Sequence, residues 1–181
     1  IKIKSDYTIV ATEIKSLLDG HNLSSVKWKS CVNFYFETNK NSIKRGLTGL
    51  VNGNNTVINN LFFVSGIKSK TIGPKELLSV TVIDPKSYSN GDLIDRVEYE
   101  LKKYCGIKVI RLISQFNIPK SLPDLKDISS TKKLSEFQIS DTIFLAGDHK
   151  LNPSLNAAIT SGEMSALQLI NIDNLNYQNY K

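Results

Sequence analysis

Arginine is scarce in this 181-residue chain. Of its 23 basic residues only Arg45, Arg96 and Arg111 carry a guanidinium, and the lysines are scattered. The net charge of +6 would suit a polyanion, but bidentate recognition of phosphate and guanine is the work of arginine. The composition therefore points to a solvated lysine-rich surface and away from nucleic acid. Histidine and cysteine are equally sparse, two of each: His21, His149, Cys31 and Cys105. Without a CxxC or a Cys/His cluster, no metal site is expected. The two cysteines lie far apart in apolar company and read as reduced, buried thiols of a cytoplasmic protein. No stretch approaches the roughly 18 apolar residues that cross a bilayer, and no basic–apolar–small leader is visible, so neither a transmembrane segment nor a secretory signal is expected. No Ser/His/Asp set and no paired carboxylates emerge, so the catalytic residues stay unknown.

What is present is a chain that is 40% hydrophobic, enough to build a core. Ile1 to Lys4 already alternates, as though the sequence opened inside a β-structure of something larger, and Tyr7–Ala11 reads as a buried strand. Strand character recurs in Val26–Trp28, Val32–Phe36, Leu47–Val51, Val57–Ile58, Leu61–Val64 and Leu77–Ile83. Gly53-Asn54-Asn55 and Gly73-Pro74 break the series. A helix is predicted over residues 92–104, because Leu93, Ile94, Val97, Leu101 and Tyr104 share one face. Acidic residues open it, lysines close it and Gly106 follows. Ile107–Ile113 returns to strand, and Ile118-Pro119 through Leu122-Pro123 must be extended. Lys126–Lys133 reads as an exposed loop. A last strand, Thr142–Ala146, is followed by a helix from about Pro153 to Ile170, and residues 171–181 read as a loosely held tail.

The chemistry concentrates where that last strand ends. A buried strand delivers Gly147 and Asp148 to its C-terminal edge, the edge where open α/β sheets bind ligands. Gly147 permits close backbone approach, and Asp148 accepts hydrogen bonds from sugar-type hydroxyls. Asn152 is placed to cap the following helix, with Pro153 at its first position. The helix N-terminus then suits an anion, or a ring that becomes anionic on reduction. Ala158, Ser161, Gly162, Ser165 and Ala166 make a small-residue side. The same spacing equally describes a plain strand–turn–helix unit. His149, next to Asp148, suggests proton transfer, although a histidine in a loop near a ligand edge is the commoner case.

Gly147, Asp148, Pro153, Ser154, Ala157, Ala158, Ser161, Gly162 and Ala166, behind a hydrophobic strand, resemble the C-terminal FAD motif of the flavin amine oxidases, protoporphyrinogen oxidases and phytoene desaturases. Asp6–Thr12 is similar to the strand by which that family's chain leaves its FAD domain. Residues 58–61, Ser65 and residues 77–82 are similar to its substrate-domain sheet, Glu100-Leu101 with Gly106 to its later helix, and Ile118-Pro119 to its extended return. The resemblance covers roughly residues 5–170. It implies an α/β fold, α+β in the substrate part. A mixed, mainly antiparallel sheet with flanking helices would form a substrate-binding domain over 21–124, and 1–20 with 125–170 would be the remnant of a Rossmann-like FAD domain. It further implies that the FAD is held at Gly147, Asp148, Asn156 and Ala157. Asp148 would reach the ribityl–pyrophosphate region, and the backbone at Asn156 and Ala157 would face the pyrimidine edge of the flavin. The dinucleotide fingerprint GxGxxG is absent from the sequence, as are the acidic residue for the adenosine ribose and the early flavin-contacting arginines. The implied protein is thus the C-terminal half of an oxidoreductase that passes hydride from a small organic substrate to flavin, lacking its N-terminal FAD-binding half; FAD is expected in the full-length protein, and this chain alone is expected to bind it poorly or not at all. The competing expectation is a flavin-free binding or interaction domain that keeps this architecture.

Overall fold

The computed structural model describes residues 4–12, 26–39, 46–67, 75–85 and 88–179, with side chains described through residue 174. The alternation at residues 1–3, His21, Arg45 and the Gly73-Pro74 break lie outside the described residues. The fold is mixed α/β with two helices and two sheets among the described residues. It divides into two compact units: Lys29–Ser121 is one, and Ile1–Trp28 with Leu122–Lys181 is the other. The chain thus leaves the outer unit and returns to it, and where it does so the Asp124 amide donates to the Lys27 carbonyl at 2.7 Å.

The inner unit is built on a four-stranded sheet. Its strands are β2 (Trp28–Thr38), β3 (Ile58–Phe63), β4 (Glu76–Ile83) and β5 (Val109–Pro123), in the order β3-β4-β2-β5. Strand β4 pairs antiparallel with both β2 and β3, placing Phe34 opposite Val80 and Leu61 opposite Val80 on its other side. The side-chain period of a strand is two, and the burial follows it. Val32, Phe34 and Phe36 on β2 and Leu78, Val80 and Val82 on β4 are buried, whereas Asn33, Tyr35, Ser79 and Thr81 are half-buried on the other face. Helix α1 (Asn90–Cys105) closes the buried face with Leu93, Val97 and Leu101.

Both ends of α1 follow their chemistry. Ser89 Oγ accepts from the Asp92 amide, which caps the start. Gly106 ends the helix with φ 65°, a left-handed conformation that costs glycine nothing. Deeper in, the Glu100 carboxylate is fully buried. It accepts from the Val57 amide at 3.0 Å, the Ile58 amide at 3.2 Å and Arg96 Nε at 2.7 Å. Arg96, its side chain one-third exposed, in turn donates to the Asn55 carbonyl at 2.9 Å, so a buried carboxylate and its partly exposed partner fasten the helix to the turn that starts β3.

Three expected features differ. Leu47–Val51 is no strand: a single bridge joins Gly49 to Leu61, and Leu50 is 79% exposed. Residues 109–123 form one continuous strand, including Pro119, which sits on an edge strand where a missing N–H costs least. The final helix α2 runs Leu155–Asn179, past the expected stop at Ile170, so residues 171–179 are helical and not a separate tail.

The outer unit carries a three-stranded sheet of β1 (Thr8–Val10), β6 (Gln138–Ser140) and β7 (Ile143–Leu145), in the order β1-β7-β6. Strands β1 and β7 are parallel, with Thr8 opposite Ile143 and Val10 opposite Leu145. This pairing brings residues 8–10 against residues 143–145. A small core of Phe137, Leu151 and Ala157, with Met164 against it, holds the following segment. Among the described residues no helix is long and apolar enough to cross a membrane.

Candidate functional site

Strand β7 buries Phe144 and Leu145, and buried Ala146 just past it leads into Gly147. Gly147 has φ 149°, a backbone conformation that an L side chain adopts only with strain. Its amide donates to Ser161 Oγ at 2.7 Å, and Ser161 Oγ donates to the Ala158 carbonyl at 2.7 Å. One helical turn on, Ser165 Oγ donates to the Leu145 carbonyl and lies 2.8 Å from the Ser161 carbonyl. Two buried serines of α2 therefore fix the end of β7, because a buried hydroxyl must find partners. They were legible only as small residues; the signal for their role is a hydroxyl repeated four positions apart beside a strand terminus.

Residues Asp148–Lys150 form a single 3₁₀ turn. The Asp148 carboxylate is half-buried and makes no side-chain hydrogen bond to another described residue. The Lys150 ammonium donates to the Glu136 carbonyl at 2.7 Å and lies 5.6 Å from the Phe137 ring centre. Burial, and then Lys132, lower the proton affinity of Lys150, with Glu136 opposing them.

His149 folds back on the glycine. A Cβ added to Gly147 would lie 2.5 Å from its Nδ1 and 2.6 Å from its Cε1. The Nε2 atom is buried without a hydrogen-bond partner among the described residues. Burial first, and Lys150 second, push the imidazole below its ordinary pKa, against the pull of Asp148. The ring is therefore neutral near pH 7.

The cap of α2 is Ser154, not Asn152. Ser154 Oγ accepts from the Ala157 amide at 3.1 Å, and the Ser154 carbonyl accepts from the Ala158 amide at 3.1 Å. Asn152 braces the loop instead: its amide donates to the Ser129 carbonyl at 2.9 Å, and its Oδ1 accepts from Ser154 Oγ at 2.6 Å. Pro153 accordingly precedes the cap and does not open the helix. Of the residues expected at the ligand, Gly147 and Asp148 sit together at the strand end, and Asn156 is exposed on the first turn of α2. Ala157 is 3% exposed, and its amide is taken by the cap. The first-turn amides of Leu155 and Asn156 have no partner among the described residues. An acceptor carboxylate and two helix-end donors fit a ligand that carries hydroxyls and an anion-forming group.

No protein-family description and no curated protein sequence matches the chain; solved structures do. A protein from Exiguobacterium sp. 255-15, provisionally named a protoporphyrinogen oxidase, superposes with a TM-score of 0.60 at 15% identity, over 91% of this chain and 41% of that one. The chain shares that fold. A protein of Pyrococcus furiosus superposes with a TM-score of 0.51 at 10% identity, over 80% of this chain and 33% of that one. The chain thus spans less than half the length of either structure it is similar to.

Proposed function

We propose that this chain is the substrate-side and closing part of an FAD-dependent oxidoreductase of the amine oxidase and phytoene desaturase kind. The reaction would be oxidation or desaturation of a small organic substrate. The carrying observation is the end of β7, with Gly147 at a positive φ, and, without partners among the described residues, the Asp148 carboxylate and the first-turn amides of a Ser154-capped helix. Its setting in a fold like that of a larger provisional protoporphyrinogen oxidase supports the reading. Bound flavin would supply the hydride acceptor. Asp148 would accept from ribityl hydroxyls, the Leu155 and Asn156 amides would face the flavin edge that gains negative charge, and Gly147 would let the ligand approach the backbone. Ala157 would contribute its small side chain, since its amide is engaged by Ser154. The adenosine and pyrophosphate contacts would come from an N-terminal FAD-binding half outside this sequence.

The substrate would meet the open face of the inner unit. There Asn33 Oδ1 accepts from Ser79 Oγ at 3.1 Å and Thr81 Oγ1 at 3.4 Å. Beside it Tyr35 packs edge-on against Phe116 at 5.8 Å. Mixed polar and aromatic lining of this kind suits a small organic molecule.

The test is the absorbance spectrum and flavin affinity of the full-length protein, with and without Asp148→Ala. Hydrogen bonds to a carboxylate are worth about 1.5–3 kcal/mol each, so the variant should bind flavin roughly ten- to a hundred-fold more weakly. Full-length protein that is colourless and takes up no added FAD refutes the reading.

A further inference from the structure

We propose that His149 is a displaceable cover on Gly147, closed in the ligand-free chain and swung outward before any ligand uses the glycine's open face. The inference rests on the reading of Gly147 as a ligand-facing position. A glycine offers close approach on the side where other residues carry Cβ, and here that side is filled by the imidazole, whose Nδ1 is 2.5 Å from the Cβ position. Ring and ligand therefore exclude one another there. The closed position is also poorly held. Nε2 is buried with no partner among the described residues, whereas a ring turned to solvent regains water at that atom.

Rotation about the His149 side-chain bonds moves the cover without moving Gly147, whose amide is tied separately to Ser161 Oγ. The groups that bear on the ring's charge are Lys150, which resists protonation, and Asp148, which favours it. Residues 155–162 of α2, the helix packed on this turn, carry no charged side chain, and neither does β7. Protonation adds a charge that the buried position does not accommodate, so acid should open the cover just as a ligand does.

The experiment is NMR on this chain. The Gly147 α-protons should show a shift from the imidazole ring that is lost in His149→Ala. In the wild type it should be lost in step with His149 protonation, while the Gly147 amide stays protected by Ser161. FAD is then titrated to millimolar concentration. The Gly147 and Asn156 signals should move at about ten-fold lower FAD in His149→Ala, the factor for a site closed roughly nine-tenths of the time. In His149→Phe, a cover with no polar atom to regain water, they should move at higher FAD than in the wild type. A Gly147 shift that ignores His149 protonation, or equal FAD midpoints in wild type and His149→Ala, overturns the cover. If the acid arm succeeds and FAD moves neither signal in any protein, the cover survives but flavin is not the ligand it keeps from this chain; the full-length absorbance and affinity test decides the flavin reading separately. If His149→Ala does not fold, the wild-type acid titration and the His149→Phe comparison decide.

Discussion

Glu100 is the place where one substitution should do most damage to the inner unit. Its carboxylate is the acceptor for the Val57 amide at 3.0 Å and the Ile58 amide at 3.2 Å, and for Arg96 Nε at 2.7 Å. Ile58 is 3% exposed, so water cannot replace the lost acceptor there. Glu100→Ala leaves two backbone donors without a partner, at about 1–3 kcal/mol each. It also leaves a side-chain-sized gap under α1. The sum is about 3–5 kcal/mol; Arg96, one-third exposed, keeps access to water and adds little to it. In urea unfolding followed by circular dichroism, with a slope of about 2 kcal/mol/M, the midpoint should fall by about 2 M. Glu100→Gln keeps one carbonyl oxygen but turns an NH₂ toward a donor, and should fall between the two. Asp95→Ala, exposed on the same helix, should stay within about 0.5 kcal/mol. A Glu100→Ala loss below about 1 kcal/mol would refute the clamp, because at least one orphaned amide must carry its desolvation cost.

Gly147→Ala should cost roughly 1–3 kcal/mol, from its strained φ and the collision with His149; His149→Ala in the same chain should recover only the collision, which thermal unfolding of the double variant measures. Ser161→Ala removes the acceptor for the Gly147 amide and should cost about 1–2 kcal/mol, with faster hydrogen exchange at Gly147. Because burial lowers the His149 pKa in the folded state, the unfolded chain takes up a proton first. The contribution of His149 is therefore complete above about pH 6.5, the ordinary imidazole value, and is lost as pH falls through its lower folded value. Unfolding midpoints measured from pH 7.5 to 5 should show this loss in wild type and lose it in His149→Ala.

Those residues also mark how far the sequence could be read. Helix α1 was legible from its apolar stripe, its terminal charges and Gly106, which act locally, whereas its start at Asn90 behind the Ser89 cap was not. Val32–Phe36 reads as a strand by residue type, and the buried face of β2 follows its alternation of Val32, Phe34 and Phe36 with Asn33 and Tyr35. The Glu100 contact was not legible, since its amide partners lie more than forty positions away. Leu47–Val51 looked like a strand by residue type, but among the described residues it forms one bridge, Gly49 to Leu61. Asn152 and Ser154 are both capping residue types two positions apart. Only the geometry decides that the hydroxyl meets the Ala157 amide while the Asn152 side chain turns back to Ser129. At the candidate site the strand, Gly147 and Asp148 follow from pattern. The folding of His149 onto Gly147 depends on a side-chain direction that no spacing encodes.

The two units differ in how complete their surfaces are. The inner unit closes its own core, with Phe34, Phe36, Val80 and Leu101 fully shielded. In the outer unit α2 buries Ala157, Ser161 and Ser165, yet Leu155, Ile159 and Ile170 are 77%, 64% and 51% exposed. These three share a helix face with Gly162, since the spacing from 155 through 159, 162 and 166 to 170 follows the helical repeat. A Cβ at Gly162 would meet nothing within 4 Å, so nothing among the described residues requires a glycine that costs a helix about 1 kcal/mol relative to alanine. Strand β1 adds an edge, parallel to β7, with Ile9 39% exposed, although parallel strands normally lie buried on both faces. Among the described residues, an apolar stripe, a helical glycine with open space before it and an unpaired parallel edge are three independent costs in one unit. On the proposed reading one cause accounts for all three: the remaining strands and helices of an FAD domain would extend the sheet at β1 and pack on α2 where Gly162 leaves room.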